Sequence, residues 1–276
     1  MTPARLVVFS DLSGTLLDAG DGSWEAARPA LRQLKLRRVP VVLCTSMTRA
    51  AVVPLRAALG LADPFVTEGG GGVYIPRNYF PFALPASRVE TDFQVLELGQ
   101  PYEKLTRALD EAAKTSGVRV RAFNRMTEKE LAALTGWPRA EIRLARRREF
   151  DEPFLVEKGT PQQKERFERW LEQRGLRLRR GAHFQHLQGG NDKGLAVARL
   201  VELYRKLYDR IHAVGLGDSA ADADFLALMD SAVLVPWPDG RHDPEARQRL
   251  PGARLAPAAG PAGWNAAVQE LLQTSA

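Results

Sequence analysis

Four short stretches carry the side chains able to do chemistry. Asp11-Leu12-Ser13-Gly14-Thr15 follows an apolar run, 5–10 (RLVVFS), and Thr45-Ser46 ends a second run that begins at Pro40. Asn191-Asp192-Lys193-Gly194 opens a long helical pattern, and Asp218 and Asp222 lie just past the run 211–217 (IHAVGLG). Ligands of open α/β sheets collect beyond the carboxyl ends of the strands. If the apolar runs are strands of one sheet, one carboxylate, one hydroxyl, one lysine and an acidic pair face a single crevice. Asp11 then reads as a site carboxylate or as a turn residue after a strand, and Lys193 as a phosphate ligand or a surface lysine. Asp218 and Asp222 read as metal ligands or as a helix N-cap pair, a position that Asp favours. Ser13 reads as a ligand contact or as a plain turn residue.

The elements that must position these groups alternate in type. Strands are expected at 5–10, 40–45, 64–67, 211–217 and 232–235, and helices at 24–36, 48–60, 192–208 and 222–229. Such alternation implies a mostly parallel sheet covered by helices. Pro29 suits a first helical turn, Pro54 is an irregularity, and Gly60 stops its helix. The middle of the chain reads differently, with short strands such as VRVRAF and REFDEPFLVE between helices at 101–116, 127–146 and 160–174. That is an α+β pattern, read as a second module (85–186) inserted into a core made of 1–84 and 187–276. The fold class is therefore α/β: a parallel-sheet core with an inserted α+β cap.

Composition narrows the function classes. The chain has 276 residues, 39 Lys+Arg against 33 Asp+Glu, and one cysteine, Cys44, so no internal disulfide is possible. The first apolar run is broken by Asp11 before a signal-peptide core could form, which points to a cytoplasmic protein with no membrane partner. The excess arginines come without any nucleic-acid-binding motif, so a solvated basic surface is expected and no nucleic acid. His183 and His186 are expected to share a strand face and to meet substrate or serve the core; without a suitably spaced third ligand they are not a zinc site. The Gly69–Gly72 run is followed by a strand-like VYIP rather than a helix, so it is not a dinucleotide loop. A hinge beside Glu68 is the better reading.

In this order, the four stretches resemble the motifs of the haloacid dehalogenase superfamily. VVFSDLSGTLLD, VVLCTSMTR, REFDEPF, GAHFQHL, NDKG, GLGDSAADADFL and the closing GPAGWNAAV are similar to its mannosyl-3-phosphoglycerate phosphatase branch. The resemblance implies a Rossmann-like core and removal of phosphate from mannosyl-3-phosphoglycerate or a similar glycoside, with Mg²⁺ as cofactor. It makes Asp11 the nucleophile that becomes an aspartyl phosphate, and Thr45, rather than Ser46, and Lys193 the phosphate ligands. Asp11, the Ser13 carbonyl, Asp218 and Asp222 would hold the cation. Further substrate contacts are expected from Ser46, Arg49, Glu68, Gly69 and Gly70 in the core, and from Arg148, Glu152, His183 and His186 in the cap. The cap residues Arg148, Glu149, Asp151 and Glu152 also fit an exposed edge-strand cluster. A small phosphorylated substrate and a monomer or homodimer complete the expectation.

Four polar positions of the pattern have changed. Ser13 replaces the Asp that protonates the leaving oxygen and then activates water; Met47, Gly69 and Ala221 replace a lysine and two asparagines. Losing a general acid/base costs about 10²–10⁴-fold. Two functions are therefore open: a Mg²⁺-dependent phosphatase with slowed turnover, or a catalytically impaired relative that binds phosphate ligands or regulates.

Overall fold

A computed structural model describes residues 4–85, 87–181 and 183–274. Its strands are β1 (Arg5–Ser10), β2 (Val41–Cys44), β3 (Phe65–Thr67), β4 (Gly72–Pro76), β5 (Arg88–Val89) and β6 (Phe93–Glu97). They continue with β7 (Arg119–Ala122), β8 (Asp151–Lys158), β9 (Arg177–Arg180), β10 (Gln185–Gln188), β11 (Ile211–Gly217), β12 (Ser231–Leu234) and β13 (Arg254–Leu255). The helices that matter below are α1 (Arg28–Leu36), α2 (Arg49–Ala58), α3 (Tyr102–Ser116), α4 (Glu128–Thr135) and α5 (Arg139–Ala145). They are followed by α6 (Pro161–Glu172), α7 (Lys193–Tyr208), α8 (Ala223–Leu226), α9 (Pro244–Arg249) and α10 (Gly260–Thr274).

Nine strands form one sheet in the order β13-β12-β11-β1-β2-β3-β4-β6-β5. The run from β13 to β3 is parallel, and β4, β6 and β5 are added antiparallel. Burial on both faces explains the unbroken apolar runs of the central strands. Val7 and Phe9 pack on one face with Val197, Leu200 and Tyr204 of α7. Val8 points the other way, into a cluster with Leu31 of α1 and Trp264 and Val268 of α10. Pro29 sits in the first turn of α1, where its missing N–H costs nothing, and Pro54 lies inside α2. Segment 85–100, expected in the inserted module, supplies β5 and β6 to this large sheet.

The second sheet, β7-β8-β10-β9, is antiparallel. Phe154 and Leu187 on one face pack with Leu105 and Leu109 of α3 and Phe167 and Leu171 of α6. On the opposite face the register places Gln188 beside Asp151 and His186 beside Arg179. That face looks onto the strand ends of the large sheet: Arg179 reaches Asp224 at 3.6 Å, and Gln188 Nε2 donates to the Glu68 carbonyl at 3.2 Å. A second tie runs through Thr48, whose Oγ1 caps α2 by accepting from Ala51 N and donates to the Leu144 carbonyl of α5 at 2.9 Å. Among the described residues no helix is long and apolar enough to cross a membrane.

Candidate active site

The register of three neighbouring strands builds the crevice. In β11-β1-β2, Ser10 lies level with Leu216 on one side and Leu43 on the other. The first residues past the strands, Asp11, Thr45 and Asp218, therefore emerge side by side. Asp192 caps α7 by accepting from Leu195 N at 2.7 Å, which starts the helix at Lys193. Packing of α7 across the sheet brings that buried lysine to the strand ends. Lys193 Nζ donates to Asp11 Oδ1 at 2.6 Å and to Asp222 Oδ1 at 2.7 Å.

Asp222 closes the turn after β11 from its third position rather than as its N-cap, which is Ser219. Asp222 Oδ2 accepts from Ser219 N at 3.1 Å, Ser219 Oγ at 3.0 Å and Asp218 N at 3.2 Å, closing a capping box, while Oδ1 faces the lysine. Asp218 lies beside the Asp11 loop. A Cβ on Gly14, which has a φ of 79°, would stand 2.5 Å from Asp218 Oδ2, so only glycine permits this approach. Carboxylate oxygens of Asp11, Asp218 and Asp222 all lie within 4.8 Å of one another.

Three carboxylates against one ammonium leave the pocket with an excess of negative charge. Burial pushes the Asp11 carboxyl up to about 6; Lys193 works against the rise and Asp222 adds to it. Burial, then the Asp11 and Asp222 charges, push Asp218 to about 8. Lys193 shifts upward: burial alone would lower it, but Asp11 and Asp222 outweigh burial. Three close, hard oxygen donors with surplus negative charge match what Mg²⁺ requires, and a divalent ion would neutralise that surplus.

The remaining expected residues divide. Thr45 is buried, with Oγ1 accepting from Met47 N at 3.1 Å, whereas Ser46 and Ser13 are exposed. Glu68 is fully buried and is bound to main chain: its carboxylate accepts from Glu149 N at 3.1 Å and Phe150 N at 2.7 Å. Burial pushes its carboxyl to about 7, against the pull of Arg148 and the Phe150 amide. Gly70 packs so tightly on the turn before α7 that a Cβ would overlap the Asp192 carbonyl, and Gly69 lies against the Gln188 amide. Arg49 is already occupied, with Nη1 on Glu90 at 2.6 Å and Nε on Glu149 at 2.9 Å.

The cap residues do not act as one group. Arg148 Nη1 donates to Asp151 Oδ2 at 2.6 Å and to the Ser46 carbonyl at 3.3 Å, and His186 Nδ1 lies 2.8 Å from the same Asp151 oxygen. Asp151 is buried rather than part of an exposed edge cluster, and its Oδ1 has no hydrogen-bond partner. Glu152, next on the strand, faces the other way and accepts from Asn124 N at 3.4 Å. Burial pushes its carboxyl to about 7, opposed by Tyr102 and the Asn124 amide. His183 and His186 do not share a strand face: β10 begins at Gln185, and His183 is exposed beside Trp137. Sequence reasoning passed over Gln188 and gave Asn191 no role. Gln188 is two positions after His186 and so on its face; Asn191 is fully buried with neither amide atom paired. An asparagine directly before the Asp-Lys helix start was the available signal for the second.

Solved structures with this architecture share one fold. A haloacid dehalogenase-like hydrolase from Bacteroides thetaiotaomicron superposes with a TM-score of 0.64 at 15% identity, covering 97% of this chain and 99% of its own. A sugar phosphatase of haloacid dehalogenase subclass IIB gives 0.66 at 11% identity, covering 98% and 99%. The fold is thus that of the haloacid dehalogenase-like hydrolases. No protein-family model matches the chain. Among curated proteins, the glucosyl-3-phosphoglycerate/mannosyl-3-phosphoglycerate phosphatase of Methanococcoides burtonii is 34% identical over 266 residues, 96% of this chain and 97% of the relative. The protein of the same description from Persephonella marina is 32% identical, covering 97% of each, and the mannosyl-3-phosphoglycerate phosphatase of Pyrococcus furiosus is 33% identical, covering 86% and 93%. The chain belongs to the mannosyl-3-phosphoglycerate phosphatase family and is a phosphoric monoester hydrolase.

Proposed function

We propose that this chain hydrolyses the phosphate ester of a glycosyl-3-phosphoglycerate, with mannose or glucose as the sugar, through an aspartyl-phosphate intermediate on Asp11. The observation that carries the reading is Lys193 bridging Asp11 and Asp222 inside an acidic triad at adjacent strand ends. Asp11 attacks phosphorus, the bond from phosphorus to the glycerate oxygen breaks, and the leaving oxygen takes a proton from water, which reaches the exposed position 13. Water then attacks the acyl phosphate, releasing inorganic phosphate and restoring the carboxylate. Lys193 and Thr45 hold the phosphoryl oxygens. Asp11, Asp218 and Asp222, with the Ser13 carbonyl, would hold Mg²⁺, which supplies charge neutralisation between carboxylates and phosphate.

The chain acts as a core with an inserted cap, the cap narrowed from 85–186 to about 101–188, because β5 and β6 pair into the core sheet and β10 (Gln185–Gln188) into the cap sheet. The Arg148-Asp151-His186 cluster shapes the cap face that meets the sugar or glycerate: the buried Asp151 carboxylate fixes Arg148 and His186, and the partly exposed His186 is the member open to substrate. Glu68, Gly69 and Gly70 act as hinge supports, and Arg49 as a clamp on Glu149. Ser13 favours a second reading, a ligand-binding protein with little turnover, because an exposed hydroxyl is too weak an acid and base to serve in proton transfer near neutral pH. Phosphate release from mannosyl- and glucosyl-3-phosphoglycerate and from simple sugar phosphates, with Mg²⁺ or with a chelator, separates the two. Mg²⁺-dependent release that prefers the glycosyl-phosphoglycerates supports the enzyme; tight binding with no release supports the binding protein.

A further inference from the structure

The closing motif GPAGWN (260–265) has no part in the reaction above. Its tryptophan nonetheless ends at the strand that presents Asp11. Trp264 is fully buried, and its Nε1 donates to Ser10 Oγ at 2.9 Å. Ser10, also fully buried, donates to the main-chain oxygen of Asp11 at 2.7 Å. The indole has a donor and no acceptor, and the hydroxyl has one proton, so the direction of this chain is fixed from Trp264 through Ser10 to the Asp11 carbonyl. On its other side, the Asp11 N–H donates to the Leu216 carbonyl at 2.9 Å. Both main-chain groups of Asp11 are thus held, which sets the direction of its Cα–Cβ bond and aims the carboxylate at Lys193 Nζ. The next residue, Asn265, accepts from Ala30 N at 2.9 Å, so the same turn of α10 is anchored to the first turn of α1.

We infer that Trp264 is a positioning residue: through the Ser10 hydroxyl it fixes the main chain at Asp11 and with it the aim of the carboxylate. Its effect on turnover rests on the phosphatase reading; its effect on the cation site does not. The test uses the full chain. Trp264→Phe keeps a ring and removes the donor, Ser10→Ala removes the link, and Ser10→Thr keeps the hydroxyl. Mg²⁺ affinity is measured by titration calorimetry, alongside kcat, KM and melting temperature.

Trp264→Phe and Ser10→Ala are each expected to weaken Mg²⁺ binding and to lower kcat about tenfold with KM nearly unchanged. The double variant should lose no more than either single one, because both act on one chain. Ser10→Thr should restore the parent values. Single variants that melt earlier yet keep the parent's Mg²⁺ affinity and kcat would overturn the inference and leave Trp264 a packing residue. So would losses that simply add in the double variant. If the parent itself releases no phosphate, the phosphatase reading fails, and the Mg²⁺ titrations alone decide the role of Trp264 by the same comparison.

Discussion

Asp11 and Ser13 stand two residues apart in one loop and differ sharply in setting. Asp11 is buried and hydrogen-bonded to Lys193, whereas Ser13 is exposed. On the proposed mechanism the surroundings of Asp11 are intact, and position 13 lacks a group that can act as general acid and base. Ser13→Asp is expected to raise phosphate release by about 10²-fold or more, in the range typical for a general acid/base. Because the side chain is exposed, the change should leave the melting temperature within a few degrees. A rate that does not rise would mean that proton transfer is carried elsewhere. Most of the site was legible in the sequence because its residues follow short, strongly patterned strands. Gln188 was not, since its partner Glu68 lies far along the chain and leaves no local trace, whereas Asn191 had a local signal in the Asn-Asp-Lys run. Arg49 was expected to contact substrate for the same reason as Gln188 was missed: its partners Glu90 and Glu149 lie far along the chain.

The contact between the two sheets runs through a short 3-10 turn, Glu68–Gly70, and the start of β8. Glu68 satisfies two amides just ahead of that strand, those of Glu149 and Phe150. Glu149 in turn holds Arg49, Arg88 and Tyr74. Glu68→Ala leaves two buried N–H groups without an acceptor, and a loss of about 2–4 kcal/mol is expected, with Glu68→Gln losing less because it keeps one acceptor. Denaturant unfolding checks the energy, and faster amide exchange at Glu149 and Phe150 checks its location; an unchanged Glu68→Ala protein would remove the hinge role. The core strands and helices named from periodicity lie within a few residues of those observed, whereas α9, β13 and α10 were not anticipated. What periodicity lacked was pairing: VETDFQVLEL reads as strand in either domain, and only its partner β4 shows that it belongs to the large sheet.

Several buried carboxyls give the whole chain an unusual dependence on pH. Asp11 sits at about 6, Glu68 and Glu152 at about 7 and Asp218 at about 8, against ordinary values of 3.8 for Asp and 4.5 for Glu. Each is raised, so the folded chain keeps protons that the unfolded chain releases. The stability these groups contribute is present below the ordinary values and is lost as pH rises through about 6, 7 and 8. With chelator, the melting temperature of the parent should fall more between pH 5 and pH 8 than that of Asp218→Asn, whose neutral amide removes the highest of these transitions. Mg²⁺ should restore the parent at pH 8 by binding only the folded state. An Asp218→Asn protein with the same pH slope as the parent would show that this carboxyl is not held protonated.

Asp11 has its main chain held by Leu216 and Ser10 and its carboxylate paired with Lys193. The most direct measurement is phosphate release from mannosyl- and glucosyl-3-phosphoglycerate in Mg²⁺ by this chain beside Asp11→Asn. The amide keeps the size of the side chain and removes the nucleophile. The parent should release phosphate, slowly, and Asp11→Asn none above background while remaining folded. An Asp11→Asn protein that turns over as fast as the parent would contradict the assignment of Asp11 as the attacking group.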